Sequence, residues 1–433
     1  MRFESVVCRS FLGAAILAAP LASPAQSAIH RLDGTTLTTT QAETMVRTTL
    51  ATGNIPGAQI AILNHGRPVW VESFGLRNVT QKRAMDNDTV MWAASITKSV
   101  FATFVMQMVQ AHELDLDTPI ATYLPKPLPE YEKYKDLADD PRWQKITPRH
   151  LLSHTAGFAN FTALEPDHKL HIHHNPGTRF AYSGEGLNLL QFTIEQKTGR
   201  SLRELMEERL FIPLGMTRTG MSWKDSFAPD VADGYTPDGK LVAHTHRSNP
   251  RAAGSMDSNI NDLVKFTQAL LAGKLLSGPM QAQMLSPQVQ IHTAHQFPTL
   301  AEDTSEEPMQ VGLAYGLGWG LLTNTKYGRA FFKEGHGDGA QNYMICFEKT
   351  EDCMIMLTNS ENGEFAFKPL LEKLLGDTVT PWEWEGYTPE RIRMQQMNEH
   401  PELAPPPPPK PQKKSWVRKE AEKLEKLKKR PKQ

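Results

Sequence analysis

The sequence predicts an α/β protein of two lobes, with a sheet assembled from both ends of the chain and a mainly helical middle. Three observations predict it. Short segments of alternating apolar character lie near the N-terminus, at 56–72. Similar segments recur near the C-terminus, at 328–358, separated by Gly-rich turns. Between them run stretches of helical length and spacing. Strands so far apart in sequence bury their apolar faces only by pairing with one another, which leaves the helices to form the second layer.

The elements follow in order. A first helix is expected at 40–51. Residues 56–72 read as a β-hairpin turning at Asn64-His65-Gly66. Residues 90–110 are almost uninterrupted apolar sequence of helix length, broken by Lys98. Residues 120–150 are Pro- and charge-rich connections, 185–214 are amphipathic with a helix stop at Gly199, and 261–272 form another helix. Strands at 328–358 precede a last helix at 363–375. Residues 381–403 are rich in Trp and Glu and carry no clear pattern. Five prolines at 405–409 predict a stiff polyproline II spacer. Residues 416–430 place Val417, Ala421, Leu424 and Leu427 at helical spacing, a short basic helix that is marginal alone. No internal repeat is visible.

The 433 residues carry a formal charge of −1, and 39% are apolar, enough for a sizeable core. That balance excludes a strongly basic nucleic-acid binder for the body of the chain. The average conceals an asymmetry. Residues 404–433 hold eleven Lys or Arg against three Glu, a charge of +8, against −9 for the rest. A Pro spacer and a basic helix suit an anionic envelope surface, lipid or polymer. At the other end, Arg2 and Arg9 precede the apolar run 11–21 and small residues to Ala28, the plan of a secretory signal peptide. The expected organisation is a signal at 1–28, a folded body at 29–380, an extension at 381–403, and a linker and basic tail at 404–433. The expected location is outside the cytoplasm. Of three cysteines, Cys8 leaves with the signal, so Cys346 and Cys353 remain as a possible disulfide.

The sharpest chemical motif is Ser95-Ile96-Thr97-Lys98 at the start of the apolar helix. A serine at a helix N-terminus has backbone donors beside it, and a lysine three residues on shares its face. Burial among Ile96, Val100, Phe101 and Phe104 disfavours the ammonium, so Lys98 can accept the Ser95 proton. Tyr182-Ser183-Gly184 adds a tyrosine able to relay a proton. His336-Gly337-Asp338-Gly339, flanked by strand sequence, adds a Gly-rich edge able to bring a backbone N–H to a substrate oxygen. His168, His171, His173 and His174 cluster before the tyrosine, but they read as a polar loop rimming a cleft rather than a metal site.

Together these motifs resemble the serine β-lactamase and penicillin-binding-protein superfamily, most closely its class C-like branch. The likeness spans roughly residues 40–375. It includes Leu151-Leu152-Ser153-His154-Thr155-Ala156-Gly157-Phe158, Pro213-Leu214-Gly215-Met216, Ala253-Gly254-Ser255-Met256 and Tyr315-Gly316-Leu317-Gly318-Trp319. The resemblance implies a β-lactamase-like fold and an acyl-enzyme mechanism. Ser95 is then the nucleophile and Lys98 with Tyr182 the base system. His336 stands at the first position of the third motif, with backbone N–H groups near Asp338 and Gly339 beside it. It implies no cofactor, no metal and a small ester or peptide substrate. Two departures stand out. Gly184 replaces the usual Asn of the second motif, and Asp338 replaces the usual Gly of the third. The first weakens amide and β-lactam recognition; the second sets a carboxylate against anionic substrates. An esterase is favoured, a D-residue peptidase or β-lactamase is the alternative, and an inactive envelope-binding protein of the same fold is the rival class. The sequence sets no oligomeric state.

Overall fold

The computed structural model describes residues 28–404 and Lys423. Apart from Ala28 and Ala404, both at the boundary, the expected signal segment and basic tail lie outside the described residues, Lys423 excepted. The centre of the fold is one sheet of nine strands: β1 (Gly57–Asn64), β2 (Arg67–Asn78), β3 (Arg83–Ala84), β4 (Val289–Gln290), β5 (Leu313–Tyr315), β6 (Gly320–Leu322), β7 (Ala330–Gly337), β8 (Ala340–Phe347) and β9 (Asp352–Thr358). Their spatial order is β4-β5-β6-β7-β8-β9-β1-β2-β3, antiparallel throughout. The N-terminal hairpin thus closes against the C-terminal strands through β9·β1, as the separation of the two strand groups predicts.

Side chains alternate faces along each strand, and the two cores divide accordingly. Ala61, Leu63, Phe331, Met344 and Ile355 face the helical lobe. Ile60, Ile62, Phe332, Tyr343 and Met354 face a second layer. The helical lobe presents α2 (Ile96–Gln110), α3 (Gly184–Thr198) and α4 (Ile260–Leu271). The second layer holds α1 (Thr39–Thr52), α5 (Glu364–Leu370) and α6 (Pro389–Glu399). Helix α1 starts from a Thr38/Gln41 capping box, and α3 stops at Gly199 with a left-handed φ of 68°. Cys346 and Cys353 are directly opposed on β8 and β9 and form a disulfide. No helix among the described residues is long and apolar enough to cross a membrane.

Two elements differ from the sequence reading. The helix expected from residue 90 begins at Ile96. Met91–Trp92 pairs instead with Asp257–Ser258, and Ala94 takes a left-handed φ of 45°, which breaks the apolar run just before Ser95. Residues 381–403, which show no pattern in sequence, fold against the second layer. Trp382, Trp384, Tyr387 and Ile392 are buried there.

Candidate active site

Helix α2 places the nucleophile candidate. Its residues from Ile96 to Met106 are all buried, so the helix is fixed by packing on every side and Lys98 is carried into the interior with only 1% exposure. Ser95 is the N-cap of α2. Lys98 Nζ lies 2.8 Å from Ser95 Oγ and 2.5 Å from the Ala253 carbonyl oxygen. Burial first, and the nearby Lys333 ammonium second, hold Lys98 well below the usual lysine range. An amine whose charged form is disfavoured is thereby set against a serine hydroxyl.

Tyr182 lies in the segment leading to α3, whose N-cap Ser183 accepts the Gly186 N–H. The Tyr182 side chain is buried and hydrogen bonds to Ser95 and Lys333. Lys98 Nζ stands 5.0 Å and Lys333 Nζ 4.8 Å from its ring centroid. Burial raises the phenol above its ordinary range, against the opposing pull of Lys333, so Tyr182 keeps its proton. His154 packs on the same ring at 4.5 Å, and its Nδ1 accepts the Ser183 N–H at 3.1 Å. Burial, then the charges of Lys98 and Lys333, keep His154 neutral, well below the usual histidine range. It braces the tyrosine without adding charge.

Lys333 is a site residue that the motif reading missed. It is fully buried on β7, with its ammonium 2.7 Å from Glu334 Oε1. Burial opposes its charge, but Glu334 and Tyr182 outweigh that and hold it above the ordinary lysine range. The strand registers regularly with β8 from Ala330 to Gly337, so parity decides which residues share a face. Lys333, Gly335 and Gly337 point toward α2. A Cβ on Gly335 would sit 2.7 Å from the Ala93 carbonyl, and one on Gly337 would sit 2.2 Å from the Trp92 ring. Pairing of β7 with β6 ends at Phe332, which leaves the edge from Lys333 onward without a strand neighbour on that side.

His336, three residues on, has the opposite parity, and this corrects the expectation for the third motif. Its Nδ1 is 2.8 Å from Glu364 Oε1 on α5, and its Nε2 is 3.2 Å from Glu399 Oε1 on α6. Burial opposes the imidazolium, but these two carboxylates overcome it and hold His336 well above the usual range. It clamps the C-terminal extension to the sheet. Gly339 is corrected for a similar reason: its N–H donates to Glu361 Oε1 at 3.0 Å and is engaged there. Gly337 lies against Trp92, and Asp338 is exposed at the β7–β8 turn.

Gly184 opens α3, and its N–H donates to Asn160 O at 2.9 Å. A Cβ here would meet Phe161 Cε1 at 2.3 Å, so the Phe161 ring occupies the space that the usual Asn would need. Gly184→Asn is expected to push Phe161 aside and cost about 1–3 kcal/mol in denaturant melts. Adding Phe161→Ala should recover most of that loss. If the single and double variants melted together, the contact would not be what excludes a side chain. Of the histidine cluster, His171 pairs with Asp167 and His173 with the buried Glu165. No group of three metal-ligating side chains occurs among the described residues.

The family model described as Beta-lactamase matches residues 42–376. The putative penicillin-binding protein PbpX of Bacillus subtilis is 27% identical over 241 residues, covering 52% of this chain and 58% of its own. A D-aminopeptidase of Brucella anthropi is 29% identical over 236 residues, covering 52% of this chain and 44% of its own. The chain therefore spans about half the length of these curated relatives. The octameric penicillin-binding protein homologue of Pyrococcus abyssi superposes with a TM-score of 0.63 at 22% identity, over 78% of this chain and 79% of that one.

Proposed function

We propose, from the premise that this chain belongs to the Beta-lactamase family, that it is an exported serine hydrolase forming an acyl-enzyme on Ser95, with small esters favoured over amides. One observation carries the reading: a buried, charge-disfavoured Lys98 amine 2.8 Å from the Ser95 hydroxyl. Lys98 takes the Ser95 proton as Oγ bonds to the substrate carbonyl carbon. The resulting oxyanion is met by the Ser95 N–H and a backbone N–H on the open edge of β7. As the carbonyl re-forms and the bond to the leaving oxygen breaks, the proton passes from Lys98 through the protonated Tyr182 to that oxygen. Water then repeats the sequence, giving its proton to Lys98 and releasing the acid and Ser95. Lys333 stays charged and holds the Tyr182 oxygen in place.

Esters are favoured because the position that would carry an amide-recognising Asn is Gly184, closed off by Phe161. Export is supported by the signal-like N-terminal sequence and the Cys346–Cys353 disulfide, which suits an oxidising compartment. A fluorophosphonate probe should label Ser95 in wild type and not in Ser95→Ala, as read by peptide mass spectrometry. Short-chain p-nitrophenyl esters should be turned over faster than a chromogenic cephalosporin. Absence of both labelling and ester turnover in folded protein would leave the binding-protein reading in its place.

A further inference from the structure

The surroundings of the Tyr182 ring are uneven. The His154 ring lies 4.5 Å from it, Lys98 Nζ 5.0 Å, Lys333 Nζ 4.8 Å and the Phe297 ring 5.6 Å, the last edge-on. His154, Lys98 and Lys333 are buried, whereas Phe297 is 41% exposed. Of these neighbours, Phe297 is the one on the solvent side of the tyrosine. Tyr182 also hydrogen bonds to Ser95, so a single side chain separates Phe297 from the nucleophile.

Exposed apolar side chains scattered singly need no explanation, but Phe297 is held where it stands. Its neighbour Gln296 is buried; the Gln296 backbone N–H donates to Trp384 O at 2.9 Å, and its side-chain amide donates to Glu334 Oε1 at 2.8 Å. Phe161 is the other exposed phenylalanine among the described residues, and it lies against Gly184, two residues from Tyr182. Its backbone is pinned on both sides. Asn160 O accepts the N–H groups of Gly184 and Glu185 at 2.9 and 3.0 Å, and the Thr162 N–H donates to Glu185 Oε1 at 3.1 Å. Two aromatic rings are thus kept at the surface, on fixed backbone, along the Tyr182–Gly184 segment. An ordered aromatic face of this kind gives up little freedom when an apolar group packs on it.

In the acyl transfer proposed above, the Tyr182 hydroxyl passes a proton to the leaving oxygen, which must come within hydrogen-bond reach of it. The group carried by that oxygen then lies beside the Tyr182 ring. With His154, Lys98 and Lys333 buried on that ring, the group runs out toward solvent along Phe297. The Phe297 side chain offers carbon surface there, with no donor or acceptor for a polar group. We propose that Phe297 is a specificity-determining residue for the leaving group, its ring packing on an aromatic or bulky apolar alcohol. The inference rests on the serine-hydrolase reading and narrows its substrates to esters of such alcohols.

The test compares esters that differ only in a phenyl group. On the alcohol side the pair is 2-phenylethyl acetate and ethyl acetate; on the acyl side it is ethyl 3-phenylpropanoate and ethyl propanoate. The ratio of kcat/KM within each pair is measured for wild type, Phe297→Ala, Phe297→Leu and Phe161→Ala. Intrinsic reactivity, and any general loss from a loosened Tyr182, then cancel between proteins. The alcohol-side ratio is expected to fall about tenfold in Phe297→Ala and about threefold in Phe297→Leu, which keeps apolar bulk without the ring face. The acyl-side ratio should move less than about twofold in both, and Phe161→Ala should move the alcohol-side ratio less than about twofold. An unchanged alcohol-side ratio in Phe297→Ala overturns the assignment. So does an equal fall on the acyl side or in Phe161→Ala. Fluorophosphonate labelling of Ser95 is followed in parallel. If Ser95 labels while the alcohol-side ratio stays fixed, only the Phe297 assignment has failed. If Ser95 does not label and no ester is turned over, the hydrolase reading has failed. Binding of 2-phenylethanol to wild type and Phe297→Ala, followed by ligand NMR, then decides Phe297 alone. Weaker binding to the variant supports the assignment, and equal binding overturns it.

Discussion

Lys98→Met and Lys98→Arg are both expected to lower kcat/KM for esters by about 10³-fold and to abolish fluorophosphonate labelling of Ser95 within the wild-type labelling time. Methionine removes the amine. Arginine restores reach and charge but cannot give up its proton near neutral pH, so it offers no base. Equal loss in the two variants isolates proton acceptance from charge. An arginine variant keeping a tenth or more of wild-type activity would show that positive charge, not basicity, is what Lys98 supplies. The fold should survive the methionine change. Lys98 is buried beside a second ammonium, and a flexible apolar side chain of similar length fills its place, so the melting temperature should be unchanged or raised. The pH profile gives a second reading. Lys98 acts only when unprotonated, and its affinity for protons is depressed by burial and Lys333. Activity is therefore lost as pH falls through that depressed value, which lies well below the ordinary lysine range near 10.4. A rising limb centred near the ordinary range would remove Lys98 as the base.

What the sequence discloses about this site depends on whether the information is local. Ser95 and Lys98 are three residues apart on one apolar helix, and their meeting follows from helix geometry alone; the structure has them 2.8 Å apart. The sheet joining both ends of the chain follows from where the alternating segments lie, and β9·β1 pairing realises it. The structure places the third motif differently from the expectation for a physical reason. His336-Gly337 has the look of the motif, whereas the residue that reaches Tyr182 is Lys333, three positions earlier and on the other face of β7. The parity of a strand is visible in sequence only once its register is known. Lys333-Glu334-Gly335, a K-x-G on the same strand, was the signal available. The partners of His336 were out of reach in a different way. Glu364 and Glu399 arrive from two helices far along the chain, one of them in a segment whose composition shows no periodicity. The disulfide lies between: the spacing of Cys346 and Cys353 permits it, but only the β8–β9 register sets the two residues opposite each other.

The same extension supports the Ser95 cluster from behind, so a substitution far from Ser95 should have a large effect. Trp384→Ala is expected to cost about 3–5 kcal/mol in denaturant unfolding. Trp384 is 1% exposed and packs 6.3 Å from the Phe180 ring; its Nε1 donates to Thr293 Oγ1 at 3.1 Å, and its carbonyl accepts the Gln296 N–H at 2.9 Å. Those bonds hold the segment 293–297. From it, Gln296 donates to Glu334 at 2.8 Å, and Phe297 packs edge-on against Tyr182 at 5.6 Å. Glu334 in turn holds Lys333. Removing the indole leaves a cavity and removes the Thr293 bond while the backbone bond to Gln296 stays, which loosens the segment that carries Phe297 and Gln296. The variant should therefore lose kcat as well as stability. Trp384→Phe keeps most of the ring but not the donor, and should cost about 1–2 kcal/mol. A merely structural role for Trp384 would leave kcat per folded molecule unchanged under conditions where the variant is fully native. If Trp384→Ala unfolds within 1 kcal/mol of wild type, the extension is not part of the core that carries the site. If it is destabilised but keeps full kcat, the path through Gln296 and Glu334 to Lys333 does not control the chemistry.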